Sequence, residues 1–134
     1  MQLRRVTYAS RVLPNVAPTD LRQILGLAEV LHRRHDLTGV LAFTGRHFFQ
    51  VIEGSVVEVD ALLNLIRADV RHDQIHVLSD EVDAVRLFDR WYGVFVDSLD
   101  VSDQVAAAHL AQATDRELAR HIIDTISGAN GRPG

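Results

Sequence analysis

Residues 37–54 read LTGVLAFTGRHFFQVIEG, which is two short apolar segments separated by Gly45. Apolar and β-branched residues over 37–44 and 46–53 predict two strands. The glycine between them favours a tight antiparallel hairpin, although the turn is not a standard Asn-Gly. This hairpin is the part of the chain around which the other predicted elements are arranged.

The elements on either side of the hairpin complete an α+β pattern. Periodicity predicts strands over 3–9, 74–82 and 86–97, and helices over 20–34 (with Thr19 as N-cap), 56–69, 102–112 and 115–127. The first six elements follow the β-α-β-β-α-β order of a split βαβ, ferredoxin-like fold. We therefore expect a five-stranded mixed sheet with two helices on one face and carboxy-terminal helices covering the other.

Length and composition narrow the function classes. The 134 residues suit one compact domain. A net charge of −4 lacks the basic surface of nucleic-acid binding, and the absence of cysteine excludes thiolate catalysis and disulfides. No signal peptide and no apolar run near the ~20 residues of a membrane span are present. We expect a cytoplasmic protein with neither a nucleic-acid nor a membrane partner.

Gln50 is the unusual residue of the second hairpin strand. Strand alternation places it on one face with Phe48 and Ile52, where a buried amide without partners costs about 1–3 kcal/mol. Tyr8 on the first strand can offer its hydroxyl if both side chains face the helices. An ordinary core pair explains this equally well. A planar heterocycle would complete the amide's hydrogen bonds, so a flat ligand is a hypothesis at this point.

Two histidines on the first predicted helix need a separate explanation. His32 lies on the apolar stripe, and His35 follows at i+3. Such a pair can bind a metal, but no third ligand has convincing spacing. A histidine that bonds a backbone group is therefore favoured, and no metal site is predicted.

Polar residues also follow the second predicted helix. Asp69 is explained by a helix-terminus salt bridge, and Arg71 and His72 by the favourable position of cations at a helix carboxyl end. Trp91, the only tryptophan, is either a core residue or a lid over a pocket. The pattern does not separate those two roles.

Several separated motifs together resemble the BLUF family of blue-light sensors that use flavin. They are TYAS (7–10), LTG (37–39), FFQVIEG (48–54), DVRH (69–72) and FDRW (88–91). The resemblance runs from about residue 3 to residue 97 with compatible spacing. It implies noncovalently bound flavin, FAD or FMN, between the two helices.

The resemblance also implies the residues of the site. The implied photoswitch is Tyr8, Gln50 and Trp91. The implied cofactor-binding residues are Tyr8, Ser10, Ile24, His32, Gln50, Asp69, Arg71 and His72. In the family, light drives electron and proton transfer from the tyrosine, the glutamine rearranges and the absorption shifts to the red. The resemblance thus implies a switch and not an enzyme.

Domain organisation follows from the same resemblance. We expect a flavin-binding core over 1–97, cap or output helices over 98–127 and a flexible tail over 128–134. With about 37 residues after the core, no fused effector is expected. The change would pass through the last strand to the carboxy-terminal helices and to a signalling protein in trans, in a homo-oligomer.

The chain departs from the family pattern at three positions. His32 stands where the family usually has an asparagine, Leu31 where relatives are often polar, and Gly93 where a methionine is common. These departures support an alternative function, a degenerate BLUF-like interaction module with weak or no flavin binding. A ferredoxin-like acylphosphatase or RNA-binding domain is disfavoured by the missing phosphate loop and the acidic charge.

Overall fold

A five-stranded mixed sheet forms the centre of the protein. The structure, a computed structural model, describes residues 2–83 and 85–129. The elements are β1 (Leu3–Val12), α1 (Pro18–Arg34), β2 (Thr38–Phe43), β3 (His47–Gly54), α2 (Val56–Ala68), β4 (His72–Asp83), β5 (Trp91–Phe95), α3 (Leu99–Ala111) and α4 (Arg116–Ala129). The strand order is β4-β1-β3-β2-β5, antiparallel except that β5 runs parallel to β2. The predicted α+β, ferredoxin-like fold is confirmed.

The predicted hairpin is formed by β2 and β3. Leu41 pairs with Gln50 and Phe43 with Phe48 across the two strands. Gly45 in the turn has φ 104°, in the left-handed region that glycine adopts without strain. The hairpin therefore brings β3 to the middle of the sheet, directly beside β1.

The two faces of the sheet are covered by different helices. Val6 and Ile52 pack with Leu62 and Leu63 of α2 on one face, and Leu21 of α1 packs on the same face. The larger apolar cluster lies on the other face and joins the sheet to α3 and α4. Its members include Phe49, Val51, Val105, Ile122 and Ile126. The predicted arrangement of the four helices is therefore confirmed.

The predicted start of the first helix was wrong. The helix begins at Pro18, with Ala17 and not Thr19 as the N-cap. Proline suits the first turn, where its missing N–H would be unsatisfied in any case. Asp20 accepts a hydrogen bond from the Ala17 N–H at 2.9 Å, and its negative charge lies at the positive end of the helix dipole.

The predicted last strand over 86–97 was too long. Only Trp91–Phe95 forms β5, because the preceding backbone bonds elsewhere. The N–H groups of Leu87 and Phe88 donate to the Glu53 carboxylate at 2.7 and 3.0 Å. These N–H groups therefore cannot donate to a neighbouring strand, and the strand starts later than predicted.

The ends of several other elements differ from the predicted ends by a few residues. Strand β1 continues to Val12, and β4 starts at His72. Helix α3 starts at Leu99, with Ser98 accepting a hydrogen bond from Val101 N–H at 3.4 Å. Of the predicted tail over 128–134, the first two residues end α4, and residues 130–134 lie outside the described part. Within the described part, no helix is long and apolar enough to cross a membrane.

Candidate functional site

A cavity lies between the sheet and the helices α1 and α2. Its volume is roughly 300 Å³, at the lower end of the range for small-molecule sites. Apolar side chains of the two helices form most of its wall, among them Ile24, Ala28, Leu31, Leu62, Leu65 and Ile66. Polar groups enter from the sheet and from the carboxyl end of α2. This lining suits a flat, mostly apolar ligand with a polar edge.

Tyr8 and Gln50 meet at the sheet side of the cavity. They pair directly across β1 and β3, and both side chains are buried and line the cavity. The Tyr8 hydroxyl donates a hydrogen bond to Gln50 Oε1. Burial raises the pKa of Tyr8, so the phenol keeps its proton. The amide nitrogen has no hydrogen-bond partner among the described residues, which leaves two donors for a ligand.

Asp69 and Arg71 form an ion pair at the cavity rim. Asp69 is the C-cap of α2, and its carboxylate accepts two hydrogen bonds from the guanidinium at 2.9 and 2.7 Å. The hydrogen bond from Arg71 lowers the pKa of Asp69. The salt bridge expected from spacing is therefore present, and both side chains also line the cavity.

His72 joins the cavity to β1 and α2. Its Nε2 lies 2.7 Å from the Ile66 carbonyl oxygen, and its Nδ1 lies 2.7 Å from Ser10 Oγ. Because a carbonyl only accepts, Nε2 carries a hydrogen and donates it to Ile66. His72 lines the cavity, whereas Ser10 lies fully buried behind it and holds its ring in place.

His32 is fully buried but does not line the cavity. Its Nδ1 donates to the Ala28 carbonyl at 2.6 Å, as the sequence favoured. Burial lowers the pKa of His32 to about 4, so the ring is neutral at physiological pH. His35 points elsewhere and lies 2.9 Å from Glu58. Among the described residues, no three His, Asp or Glu side chains cluster as a metal site would require.

Trp91 packs beside the cavity, on the same side of the sheet as α1. Its ring lies against His32 with centroids 5.1 Å apart and over Gly93, close to Leu25. The residue is partly buried and belongs to the apolar cluster of α1. It is therefore a packed residue next to the cavity and does not close the cavity as a lid.

The structure brings most of the predicted site residues together. Those that line the cavity are Tyr8, Ile24, Gln50, Asp69, Arg71 and His72. Ser10, His32 and Trp91 lie behind or beside the wall. The assignment of all these residues to flavin binding and switching stays a prediction.

A buried ionic cluster was missed by sequence reasoning. Arg5 and Glu53 are 2% and 0% exposed, pair across β1 and β3, and form a salt bridge of 2.8 Å. The Glu53 carboxylate also accepts from the Thr38 hydroxyl at 3.1 Å and from the two N–H groups before β5. The signal that could have revealed it was a pair of opposite charges inside two apolar strands.

Comparison with known proteins agrees with this geometry. Residues 3–93 match the family described as BLUF, sensors of blue light using FAD. A fold and cavity of this kind define a flavin-based light-sensing domain. The chain belongs to the BLUF family, whose members bind FAD or FMN.

Individual relatives carry the domain in different settings. The chain is 32% identical over 92 residues to the photoactivated adenylate cyclase subunit beta of Euglena gracilis, a match of 67% of this chain and 11% of that protein. It is 28% identical over 115 residues to the blue light- and temperature-regulated antirepressor BluF of Escherichia coli K12, with 85% and 28% covered. The chain thus spans only a fraction of these curated relatives.

A solved structure of similar size also matches. The dark-state structure of BlrB, a BLUF protein, superposes with a TM-score of 0.74 at 32% identity. The match covers 92% of this chain and 97% of that chain. The whole fold, including the carboxy-terminal helices, is therefore shared with a BLUF protein.

Proposed function

We propose that this chain is a blue-light photoreceptor that holds the flavin ring of FAD (or FMN) in the cavity between α1 and α2. The observation that carries the proposal is the buried Tyr8–Gln50 hydrogen bond, which opens onto a cavity. When bound, the flavin supplies absorption of blue light and an acceptor for an electron and a proton. The chain's own residues bind the flavin and respond to its excitation by a change in hydrogen bonding.

The residues present fit such a ring. The apolar walls from α1 and α2 suit its faces, and the unpartnered Gln50 amide nitrogen offers donors to a carbonyl or ring nitrogen at its edge. Arg71 and His72 lie at the same end of the wall as Asp69. These residues would hold the polar edge, while Ile24 and Leu31 would exclude water from one face.

Gln50 can serve as the switch because of its partner. At rest its oxygen accepts from Tyr8, so the nitrogen is directed away from the phenol. Half a turn about the last side-chain bond exchanges the two ends, and the phenol oxygen can then accept from the amide nitrogen. Two hydrogen-bonded states of similar energy are what a light-driven population shift requires.

The proposed core over 1–97 would pass its change to the helices over 98–127. Helix α3 and the turn between α3 and α4 contact β4 through three polar bonds. His109 of α3 approaches the Gln74 carbonyl at 2.7 Å, His76 approaches the Ala113 carbonyl at 2.8 Å, and Asp115 N–H donates to the Leu78 carbonyl at 2.9 Å. Because β4 begins at the cavity residue His72, it supports an output path beside the proposed path through β5.

The receiver of the signal is proposed to be a separate protein. The names of the relatives pair this domain with a cyclase in Euglena and with antirepression in E. coli, and no catalytic group is assigned to this chain. A cytoplasmic location and a homo-oligomeric state belong to the same proposal. Light scattering of the purified protein in darkness and under blue light tests the oligomeric state.

The decisive measurement is the visible spectrum of the purified protein, with FAD added if needed, in darkness and under blue light. We expect flavin absorption with a reversible red shift. Tyr8→Phe should keep the flavin but abolish the shift, since the phenol hydroxyl is the partner of the amide. Tyr92→Phe, on β5, is the matched control and should shift normally. A normal shift in Tyr8→Phe would refute the role of Tyr8.

One observation favours the alternative of an interaction module with weak flavin binding. At positions 31 and 32, an apolar leucine lines the cavity and the histidine lies outside it, so no polar group from that part of α1 reaches the cavity. A colourless protein that neither FAD nor FMN restores would support this alternative. A yellow protein with a red shift would exclude it.

A further inference from the structure

Two buried nitrogen atoms on adjacent rings lack hydrogen-bond partners within the described part of the chain. They are Nε2 of His32 and Nε1 of Trp91. The ring centroids lie 5.1 Å apart and the planes are tilted by 46°. A buried polar atom without a partner is costly. Two of them on touching rings therefore suggest a single explanation.

The two nitrogens are chemically complementary. The indole Nε1 carries a hydrogen and can only donate. Nδ1 of His32 faces the Ala28 carbonyl at 2.6 Å, and a carbonyl only accepts, so Nδ1 carries the hydrogen of the ring. Burial holds the pKa of His32 at about 4, which leaves a lone pair on Nε2 at neutral pH. One ring thus offers a donor and its neighbour an acceptor.

Gly93 provides the space in which the Trp91 ring lies. A Cβ atom at position 93 would come within 2.8 Å of Trp91 Cη2 and 3.1 Å of Leu25 Cδ2. The φ angle of Gly93 is not in the left-handed region, so the backbone does not require glycine there. The glycine is explained by the ring that covers it.

We propose that the indole N–H of Trp91 donates a hydrogen bond to Nε2 of His32, which makes His32 a positioning residue for the tryptophan. Rotation of the two side chains, whose ring centroids already lie 5.1 Å apart, forms the bond. His32 then serves Trp91 and not the flavin, in agreement with its place outside the cavity wall. The pair exists without flavin, whereas its effect on the light response rests on the proposed function.

The single tryptophan makes the test direct. Its indole proton gives one signal in a nitrogen-15 spectrum of the full chain, recorded in the dark without flavin. We expect that signal downfield of its position in the unfolded chain. His32→Leu should move it upfield and speed its exchange with solvent about tenfold, because the hydrogen bond is lost.

Two further variants separate the hydrogen bond from general damage. His32→Gln places an amide near the position of Nε2 and should keep most of the wild-type signal. Gly93→Ala leaves His32 intact but displaces the indole, so it should also move the signal upfield. This variant therefore tests the pairing even if His32→Leu does not fold. His35→Leu, at the exposed C-cap of α1, is the control and should leave the signal unchanged.

Two results would overturn the pairing. One is an indole signal that does not respond to His32→Leu or Gly93→Ala. The other is a wild-type signal at the free-indole position, with the His32 Nε2 signal changing only when FAD is added, since Nε2 would then serve the cofactor. A protein that never binds flavin would refute the proposed function but leave the flavin-free spectra, and hence this pair, unaffected.

Discussion

The two faces of the sheet differ in how fully their buried polar groups are hydrogen-bonded. On the face of α3 and α4, the Glu53 carboxylate accepts hydrogen bonds from Arg5, Thr38 and two backbone N–H groups. On the face of α1 and α2, Gln50 is bonded through its oxygen to Tyr8, and its amide nitrogen stays available. Two buried ring nitrogens on this face have no partner among the described residues. The first face satisfies its buried charges, and its one buried atom without a partner among the described residues is Gln104 Oε1 of α3. The second leaves hydrogen-bonding capacity for a ligand or for a change of partner.

This difference indicates that the α3–α4 face mainly stabilises the fold, whereas the α1–α2 face keeps space for a ligand. Close packing and satisfied charges on the α3–α4 face hold the sheet together. The cavity face keeps a space of roughly 300 Å³, which costs stability because its walls lose packing contacts. Substitutions on the two faces should therefore affect different quantities.

The largest expected effect is on the α3–α4 face. Glu53→Gln should lower the free energy of unfolding by about 4 kcal/mol, because the amide cannot accept all the buried hydrogen bonds that the carboxylate accepts. Arg5 keeps only its two partly exposed carboxylate partners, Glu81 and Asp83. Urea denaturation followed by circular dichroism measures this. The control is Asp73→Asn, in the half-exposed pair with Arg11, where a loss below about 1 kcal/mol is expected. Equal losses in the two variants would show that burial of the Arg5–Glu53 pair adds nothing to its effect on stability.

A somewhat smaller effect is expected from His32 on the cavity face. The unfolded chain binds a proton at this residue near pH 6.5, whereas the folded protein keeps the ring neutral down to about pH 4. Its contribution to stability is therefore complete above pH 6.5 and falls as the pH drops towards 4. The total loss is about 3 kcal/mol.

The comparison of wild type with His32→Gln isolates this term, since glutamine does not titrate. The difference between their unfolding free energies should change between pH 6.5 and 4 and be constant above that range. Parallel stability curves throughout would show that His32 is not held neutral.

The same substitution on each face gives the sharpest comparison. Ala108→Leu adds volume to the packed cluster of α3 and should destabilise the protein by about 2 kcal/mol. Ala28→Leu adds the same volume to the cavity wall and should change stability by less than about 0.5 kcal/mol. Thermal or urea unfolding without flavin measures both.

Flavin binding should show the reverse order. Ala28→Leu occupies space that the ring needs, so the affinity for FAD should fall by about 10- to 100-fold. Ala108→Leu should leave the affinity nearly unchanged in the fraction that folds. A titration in which Ala28→Leu binds as well as wild type would place the flavin elsewhere.

The fold and the contact between Tyr8 and Gln50 could be predicted because they depend on periodicity. Alternation put Tyr8 and Gln50 on one face of adjacent strands, and the element order made those strands neighbours. The orientation of individual side chains could not be predicted from periodicity. Helical spacing predicted that His32 is buried. It could not predict that His32 lies outside the cavity wall, because this position depends on the side-chain rotamer and on packing against Trp91. The Arg5–Glu53 cluster depends on residues 85–88, which are distant in sequence, and the same contact shortened the last strand.

Strand β3 presents side chains to both faces of the sheet. It presents Gln50 to the cavity and, three residues later, Glu53 to the loop that leads into Trp91. A backbone adjustment that accompanies rotation of the amide would therefore reach the start of β5 without any helix having to move. Under the proposed function, the central strand would connect a photochemical event in the cavity to the orientation of an edge strand at the periphery of the sheet.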